Sequence, residues 1–377
     1  MHSRYAGSAA QLAVRVRDKG LIARSILRYG LRRVVRLPCS SLDAMASRVC
    51  EHAPGGTETV GPLVVMPSLE RVVSGPTTWG APITREEIVS DALCCERKLP
   101  PTTLYEIRDA LVSQGSVYAR GHRYSLEWKT TRASLRGAPE IIDEAVLASS
   151  QWGSNFFGHW IMEDCAQQLL AESLGPEVID IARPIYKHEP GYRELLELRA
   201  PRQVEHALVR KLTVIVDPGA TFDKRRRIAT LRERLRKNLG PLPPAQRGVY
   251  VDRGVTGARR SLINKDAVIA LLKERGFSVI EPEKLTSRQV AEALATAKFM
   301  IGVDGSHLFP DVVSMSTGST VIELHPANRV YPAQRTYLNA FGIKYAVLIC
   351  PHRNEAEFEA KLDELDGLLE LCGCKAG

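Results

Sequence analysis

Three arginines follow a predicted strand of the 377-residue sequence. The strand spans residues 248–252, and Arg253, Arg259 and Arg260 lie in the loop after it. In open parallel α/β sheets, ligands bind at the carboxyl edge of the strands, and a guanidinium binds phosphate oxygens in bidentate fashion. The pattern therefore predicts a phosphate-binding site, to which each charge-assisted hydrogen bond adds about 1.5–3 kcal/mol. For Arg260, an ordinary solvated surface charge is the alternative.

A second predicted strand, residues 299–303, ends in Asp304-Gly305-Ser306-His307. We expect a helix to follow directly, and the N–H groups at the start of a helix bind anions. From there the imidazole of His307 could reach a phosphate or a sugar, or it could pack in the core. Because a carboxylate repels an anion, Asp304 is expected to hydrogen-bond a hydroxyl of the ligand, or to cap the helix.

His159, Glu163 and Asp164 lie close together in a long predicted helix, residues 155–174. Side chains four residues apart share a face of a helix, so His159 and Glu163 are expected to be neighbours. Histidine and carboxylate side chains are the common general bases. The alternative is structural, with His159 packed at the entry of a buried helix and Glu163 paired with an arginine.

The order and separation of these segments resemble glycosyltransferase family 61. The matching positions are the run Asn155-Phe156-Phe157-Gly158-His159-Trp160-Ile161-Met162-Glu163-Asp164 and, further along, Arg253, Arg259, Arg260, Asn264, Gly276, Phe277, Glu283, Leu285, Gln289, Ala297, Gly302, Gly305, Ser306, Val321, Ile322, Glu323 and Leu324. The resemblance implies an inverting transferase of the GT-B type, with two Rossmann-like domains and a nucleoside-diphosphate sugar as donor. Many members of the family have His-Gly-Ala where this chain has Asp304-Gly305-Ser306.

The resemblance also implies roles for individual residues. Inverting transfer needs a base for the acceptor hydroxyl. The family pattern has an acid four residues after the histidine, which favours Glu163 as base, with His159 as its orienting partner or as the alternative base and Asp164 as a further candidate. Glu323 is expected either to accept from ribose hydroxyls or to form an internal ion pair. The predicted substrate-binding residues are Asn155, Arg253, Arg259, Arg260, Asn264, Asp304, Gly305, Ser306, His307 and Glu323.

No metal ion or cofactor is predicted. No two aspartates are separated by a single residue, so the chain lacks the Asp-x-Asp motif of metal-dependent sugar transferases, and its eight cysteines form no Cys-x-x-Cys pair. Arginines and a helix terminus can supply the positive charge that a divalent ion would provide. A dinucleotide-dependent oxidoreductase is disfavoured, because no Gly-x-Gly-x-x-Gly run follows a strand.

The first 36 residues carry nearly all of the net charge. They hold nine basic residues and one acid, whereas the remainder is neutral overall, which disfavours nucleic acid as a partner. On a helical projection the arginines face one side and the apolar residues spread over the other. The arginines are Arg24, Arg28, Arg32 and Arg36, and the apolar residues are Ile22, Ile26, Leu27, Leu31, Val34 and Leu37. Such a helix binds anionic membranes or packs on the protein with its arginines solvated.

The remaining pattern predicts an α/β protein with several regions. These are a basic arm and linker at 1–58, a first domain at 59–240, a second domain at 241–350 and a terminal helix at 351–377. The family resemblance implies that the first domain binds the acceptor, that the second binds the nucleotide sugar, and that the terminal helix crosses back to the first domain. The prolines after Gly240 mark the domain boundary. Smaller elements include a strand at 183–186 and a capping box, Asn354-x-x-Glu357, that opens the last helix.

The sequence thus predicts an inverting glycosyltransferase that transfers a sugar, from a uridine-diphosphate donor by preference, to a hydroxyl of a glycan or lipid-linked acceptor in surface polysaccharide synthesis. Without a signal-peptide core or a run of about 20 apolar residues, a cytoplasmic location is expected, with the arm able to reach the inner face of the membrane. The alternative is a non-catalytic nucleotide-sugar-binding or scaffold protein, which the departure at Asp304 favours.

Overall fold

The computed structural model describes residues 20, 24, 26–32, 40–61, 63–78, 81–128, 138–254 and 259–375. The strands of this part of the chain are β1 (Arg48–Ala53), β2 (Gly56–Thr59), β3 (Val64–Met66), β4 (Thr77–Thr78), β5 (Ala81–Pro82), β6 (Glu96–Leu99), β7 (Thr102–Ser113), β8 (Ser116–Ala119), β9 (His122–Ser125), β10 (Glu140–Leu147), β11 (Glu177–Ile181), β12 (Arg202–Val204), β13 (His206–Val216), β14 (Gln246–Val251), β15 (Ser261–Leu262), β16 (Phe277–Ile280), β17 (Ala297–Val303), β18 (Thr320–Pro326), β19 (Lys344–Cys350) and β20 (Glu357–Phe358).

The α-helices are α1 (Leu42–Met45), α2 (Arg85–Leu93), α3 (Gln151–Asn155), α4 (Phe157–His159), α5 (Cys165–Ser173), α6 (Glu189–Leu195), α7 (Phe222–Leu239), α8 (Lys265–Glu274), α9 (Ser287–Thr296), α10 (Asp311–Ser314), α11 (Arg335–Ala340) and α12 (Leu362–Leu371). Between α4 and α5 the helix continues as a π turn, Trp160–Asp164, and two short 3₁₀ helices span Leu69–Arg71 and Pro282–Lys284.

The chain forms two compact units. Unit 1 contains residues 1–54, 100–185 and 199–227, and unit 2 contains residues 55–99, 186–198 and 228–377. The expected acceptor domain, residues 59–240, differs from unit 1 because three of its stretches group with unit 2. The largest is 55–99, where β3 pairs in parallel with β19.

Unit 1 has a mixed sheet in the order β12-β11-β10-β13-β7-β8-β9, with β1 also paired to β7. The first four strands are parallel, whereas β7 runs antiparallel to β13 and continues into the expected β8–β9 hairpin. Successive side chains of a strand point to opposite faces. Leu147 therefore packs in one apolar cluster and its neighbour Val146 in another, where Val146 meets Leu170 of α5. This second cluster fixes α5, the helix that directly follows the segment with His159 and Glu163.

The strand expected at 183–186 is wrong, because β11 ends at Ile181 and the residues after it are irregular. Pro184 has no N–H group for a sheet ladder, whereas the preceding Glu-Val-Ile-Asp-Ile run pairs with β10 and β12.

Residues 26–32 are helical, as the arm prediction requires, and they lie on unit 1. Ile26 and Tyr29 pack against Leu111, Tyr118 and Leu208, and the Tyr29 and Tyr118 rings meet edge to face at 5.7 Å. This contact favours the packed-helix alternative for one face of the helix. Ile22, Val34, Arg36 and Leu37 lie outside the described residues.

Unit 2 is built on a fully parallel sheet in the order β16-β14-β17-β18-β19-β3. Its central strands are continuous apolar runs, as expected for strands covered on both faces. A capping box opens α9, with Thr286 accepting from the N–H of Gln289 and the Gln289 side chain accepting from the N–H of Thr286. The carboxyl ends of β14, β17 and β18 therefore meet at one edge.

The last helix begins later than expected. Asn354 accepts from the N–H groups of Ala356 and Glu357, which closes a turn before β20, and α12 starts only at Leu362. Phe358 consequently lies in a strand and not in the last helix. Two leucines of α12, Leu365 and Leu369, are buried within the core of unit 2.

Candidate active site

Two of the three predicted phosphate-binding arginines converge on Asp304 at the carboxyl edge of the unit 2 sheet. Arg253 and Arg260 each donate to the main-chain oxygen of Asp304, at 2.7 and 2.6 Å, and Arg260 also forms an ion pair with its carboxylate. The charge of the Asp304 carboxylate is therefore compensated inside the protein. It offsets part of the charge of the two arginines.

Burial and the neighbouring Arg260 lower the pKa of Arg253 to about 10, so this guanidinium is still charged at neutral pH. Burial opposes ionisation of Asp304, but Arg260, His325, Arg329 and Arg253 together hold its pKa below the ordinary value. With Asp304 ionised, the edge keeps a net positive charge from its arginines. Arg329 was missed by sequence reasoning, although its position just after β18 is the same signal that identified Arg253.

A cavity of about 400 Å³ opens beside this cluster. Its charged and polar lining residues are Asp252, Arg253, Arg259, Arg260, Ser261 and Lys265. Lys265 is paired with Asp252, its Nζ lying 2.8 Å from the carboxylate. The volume is within the usual range of small-molecule sites, and the cationic lining suits an anionic ligand.

The segment after β17 does not lead directly into a helix. Residues 304–310 form turns, and the following helix α10 has only four residues from Asp311, so Asp304 caps no helix. A Cβ at Gly305 would collide with the guanidinium of Arg253, which explains the need for glycine there. Ser306 is half-buried beside it.

Burial, and then Arg253, lowers the pKa of His307 to about 3, so its imidazole is neutral. Its Nε2 is buried and has no hydrogen-bond partner among the residues described. The neutral His307 ring therefore adds nothing to the positive charge of Arg253 and Arg260.

Glu323 and Asn264 are used inside the protein. Glu323 is 1% exposed, and its carboxylate accepts from Gln334 at 2.7 Å, lies 2.9 Å from Nε2 of His325 and accepts from the Tyr345 hydroxyl. The geometry favours internal contacts of Glu323 over a contact with ribose.

The Asn264 amide exchanges two hydrogen bonds with the backbone of Ala360, at 2.6 and 3.1 Å, so it connects two segments of unit 2.

Asp304, Glu323 and His325 each offer one possible metal ligand atom, and these atoms lie within 4.8 Å of one another. The set is a poor fit for a cation. The carboxylate of Asp304 is paired with Arg260. The carboxylate of Glu323 accepts hydrogen bonds from neutral donors and contacts His325. Burial opposes protonation of His325, yet Asp304 and Glu323 raise its pKa overall. The raised pKa favours the imidazolium, and a protonated histidine cannot bind a metal ion.

In unit 1, the π turn Trp160–Asp164 carries Glu163 and begins directly after His159. Such turns occur frequently at functional sites. His159 Nδ1 lies 3.3 Å from Oε1 of Glu163, which confirms that the two side chains are neighbours. Both are mostly buried, and they form the pair of functional groups that the sequence predicted.

The second oxygen of Glu163 faces Lys224, whose Nζ lies 3.4 Å away. Burial opposes ionisation of Glu163, but Lys224 and His159 outweigh it and lower its pKa. Glu163 is therefore a carboxylate at neutral pH and can accept a proton. The sequence left open that Glu163 pairs with an arginine, whereas its basic partner in the structure is a lysine.

Lys224 is fully buried and also contacts Asp217, through the main-chain oxygen and through the carboxylate at 3.8 Å. Asp217 is in turn bound by Arg227 at 2.8 Å and by the hydroxyl of Thr102 at 2.7 Å. The sequence gave no signal for this network, because Lys224 lies in a helix rich in basic residues that would ordinarily be solvated.

Asp164 belongs to a different environment from Glu163. It is buried, it accepts from the N–H of Ser150 at 3.0 Å, and a Cβ at Gly153 would collide with its carboxyl. Burial raises its pKa well above the ordinary value. The enclosed Asp164 connects α3 to the π turn, and its contacts with Ser150 and Gly153 leave it poorly placed to accept a proton from a substrate.

Asn155 is likewise engaged within unit 1. Its amide nitrogen donates to the oxygens of Leu126 and Gln151 at 2.8 and 2.7 Å, and its oxygen accepts from the N–H of Trp128 at 3.1 Å. Its observed contacts therefore position Trp128, not a substrate.

The similarity to solved structures is weak. The E. coli heptosyltransferase WaaC, solved with ADP, is 12% identical, with a TM-score of 0.30 over 62% of this chain and 99% of that one. The dodecameric iron-containing heptosyltransferase TibC, in complex with ADP-D-β-D-heptose, is 13% identical, with a TM-score of 0.29 over 62% and 78%. TibC from enterotoxigenic E. coli H10407 is 11% identical, with a TM-score of 0.30 over 64% and 73%. Similarity at this level supports no argument about the present chain.

No curated protein matches the sequence. A family model does match it, over residues 157–322, and its description is Glycosyltransferase 61. The matched stretch contains His159, Glu163, Arg253, Arg260 and Asp304, whose geometry is described above. This match supports the resemblance to glycosyltransferase family 61 that the sequence motifs indicate.

Proposed function

We propose that this glycosyltransferase transfers a sugar, with inversion, from a nucleoside-diphosphate sugar to a hydroxyl of a glycan or lipid-linked acceptor in surface polysaccharide synthesis, with a uridine nucleotide as the preferred donor. The observation that carries the proposal is the cationic cavity beside Arg253 and Arg260, at the edge of the sheet where parallel α/β units bind ligands. The GT-B arrangement remains part of the proposal.

In this mechanism unit 2 binds the donor. Arg253, Arg259 and Arg260 contact the diphosphate, which is both the binding group and the leaving group. As the bond to the anomeric carbon breaks, negative charge grows on the β-phosphate oxygen, and fixed guanidinium groups stabilise it. Asp304, hydrogen-bonded within this cluster, keeps Arg260 oriented.

Unit 1 supplies the base. The acceptor hydroxyl attacks the anomeric carbon from the face opposite the leaving group, and Glu163 takes its proton. Lys224 and His159 keep the carboxylate ionised before the reaction. His159 orients Glu163 through their 3.3 Å contact.

Nucleotide binding tests the donor site directly. Arg253→Ala is expected to weaken the binding of uridine diphosphate, measured by titration calorimetry, by about 1.5–3 kcal/mol, because one charge-assisted contact is lost. Arg353→Ala is the matched control, since Arg353 is an exposed arginine of unit 2, paired with Glu359, outside the cavity. Equal affinity of wild type and Arg253→Ala for uridine, adenosine, guanosine and cytidine diphosphates would contradict the phosphate role.

Turnover is expected to survive chelation of divalent ions, because the cavity is lined by arginines and the one cluster of metal-ligand type in the described residues is occupied by internal hydrogen bonds. Product formation measured with and without EDTA checks this. Activity lost in EDTA and restored by manganese would overturn it.

The arm is proposed to bring the enzyme to an anionic membrane. Leu27 and Leu31 are 66% and 64% exposed, and Arg24 and Arg28 are exposed near them on the helix. Exposed leucines flanked by arginines suit a headgroup layer. Among the described residues, no helix is long and apolar enough to cross a bilayer.

The double variant Leu27→Ser/Leu31→Ser keeps the packed residues Ile26 and Tyr29, so the fold of unit 1 is preserved. We expect it to co-sediment less with phosphatidylglycerol vesicles than wild type, and added salt to weaken the binding of the wild type. The control Ile141→Ser removes an apolar side chain of unit 1 with 45% exposure. Equal sedimentation of all three proteins would leave the arm with a packing role only.

A further inference from the structure

Aromatic side chains surround His159 in unit 1 and have no part in the mechanism described so far. The rings of Trp152 and His159 lie 5.2 Å apart at a tilt of 34°, and those of Phe156 and His159 lie 6.0 Å apart. Trp128 meets both Trp152 and Phe156 edge to face, at 5.6 and 4.9 Å. We refer to Trp128, Trp152 and Phe156 as the aromatic cluster.

Trp128 is the most exposed member of the cluster, with 48% of its surface accessible, and Trp152 and Phe156 are half-buried. A large aromatic side chain that remained this exposed would lose most of the stabilisation that burial provides. The protein nevertheless fixes the main chain at this residue, because Asn155 accepts from the main-chain N–H of Trp128 and donates to the nearby oxygen of Leu126. The edge-to-face contacts with Trp152 and Phe156 then orient the indole.

The faces of aromatic rings carry negative charge density, and their edges are positive. One face of a sugar ring presents C–H groups that carry small positive charges, whereas its hydroxyls project around the rim. A sugar ring that stacks on an indole therefore keeps its hydroxyls directed away from the aromatic face, where polar groups can reach them. Sites of this kind combine aromatic walls with a few placed polar groups.

We infer that the aromatic cluster is the acceptor subsite, and that it takes a cyclic sugar by stacking on Trp128. The inference rests on the proposed function, since it places the acceptor beside the base assigned there. The His159 ring lies tilted against Trp152 and Phe156, and its Nδ1 lies 3.3 Å from Oε1 of Glu163. A sugar ring held by the cluster thus has its reactive hydroxyl within reach of the proton-accepting pair.

The subsite is tested with saturation-transfer NMR on the whole protein. The probes are methyl glycosides of glucose, galactose, mannose and xylose, with the acyclic polyol D-glucitol as a ligand control. In wild type, at least one glycoside is expected to receive saturation mainly at the C–H protons of one ring face. In Trp128→Ala we expect about tenfold weaker binding, whereas Trp128→Phe, which retains an aromatic face, loses much less. The control Ile141→Ala removes a comparably exposed apolar group elsewhere in unit 1 and is expected to bind like wild type.

The inference is overturned if no glycoside is saturated by wild type, if glucitol is saturated equally, or if Trp128→Ala binds as well as wild type. These outcomes are distinguishable from failure of the proposed function, because calorimetry with uridine diphosphate is measured on the same variants. Nucleotide binding that persists while the glycoside results fail leaves the transferase proposal standing. Glycoside binding through Trp128 without any nucleotide binding removes the transferase proposal and leaves a sugar-binding site.

Discussion

Glu163→Gln is expected to lower turnover by about 10²–10⁴-fold while affinity for the donor nucleotide stays nearly unchanged. Glutamine keeps the size of the side chain and its hydrogen bonds to Lys224 and His159, but it cannot accept a proton. The expected loss is therefore confined to the chemical step. It is measured as the rate of acceptor-dependent release of nucleoside diphosphate, together with calorimetry of nucleotide binding.

The pH dependence of the wild type adds a second measurement. Since Lys224 and His159 lower the pKa of Glu163, the carboxylate is ionised throughout the neutral range. Turnover limited by this base should remain level there and fall only in acid, below the ordinary glutamate value of 4.5. A fall in the neutral range would instead indicate a histidine base, and His159→Gln would then be the slower variant.

Asp164→Asn is the matched control for Glu163→Gln. Burial raises the pKa of Asp164 well above its ordinary value, which favours the neutral acid, and asparagine matches that form in charge and shape. The variant can still accept from the N–H of Ser150. We expect nearly normal turnover. If Asp164→Asn is the slow variant and Glu163→Gln is active, the two carboxylates exchange roles.

Lys224→Met is expected to destabilise the protein by about 3–5 kcal/mol, because it leaves the buried carboxylates of Glu163 and Asp217 without the cation between them. Arg227 still compensates Asp217, but within the described residues Glu163 would keep only its contact with His159. Urea unfolding measures the change. Loss of Lys224 also removes the main influence that lowers the pKa of Glu163, so the pKa of that carboxyl should rise.

The control for this stability measurement is Lys211→Met. Lys211 pairs with Glu144 in unit 1 at 2.7 Å, but both side chains are more than a third exposed, so the pair contributes only about 0–1 kcal/mol. A change for Lys224→Met no larger than that of the control would mean that the buried lysine is not required to balance the two carboxylates.

Much of unit 2 was predictable because local signals agree there. The strand before Arg253, the capping box of Thr286 and Gln289, and the apolar runs of β17 to β19 all follow from residue type and period. The assignment of β3 to this sheet was not predictable. Three residues, Val64–Met66, carry no signal for the sheet they join, and their partner β19 lies almost 280 residues further along the chain.

The same contrast holds for the candidate site. Arg253 and Arg260 were found because the edge of a parallel sheet is defined by where strands end. Lys224 was not found, because burial of a lysine depends on the carboxylates that surround it in space. Asn264 and Glu323 matched the family pattern, yet their contacts are internal. A residue that matches the family pattern can therefore be required either for a substrate contact or for an internal contact, and the sequence does not distinguish the two.

The π turn at Trp160–Asp164 has a consequence for the register of the whole segment. A π turn holds one residue more than an α turn, and one residue corresponds to about 100° of rotation around an α-helix. A continuous helical wheel therefore gives the wrong directions for Phe156 and His159, which lie before the turn. Their side chains are rotated relative to those of α5, which lies after it. The turn acts as a one-residue insertion that allows α5 to keep Leu170 in the core while the segment before it directs a histidine and its aromatic neighbours toward one another.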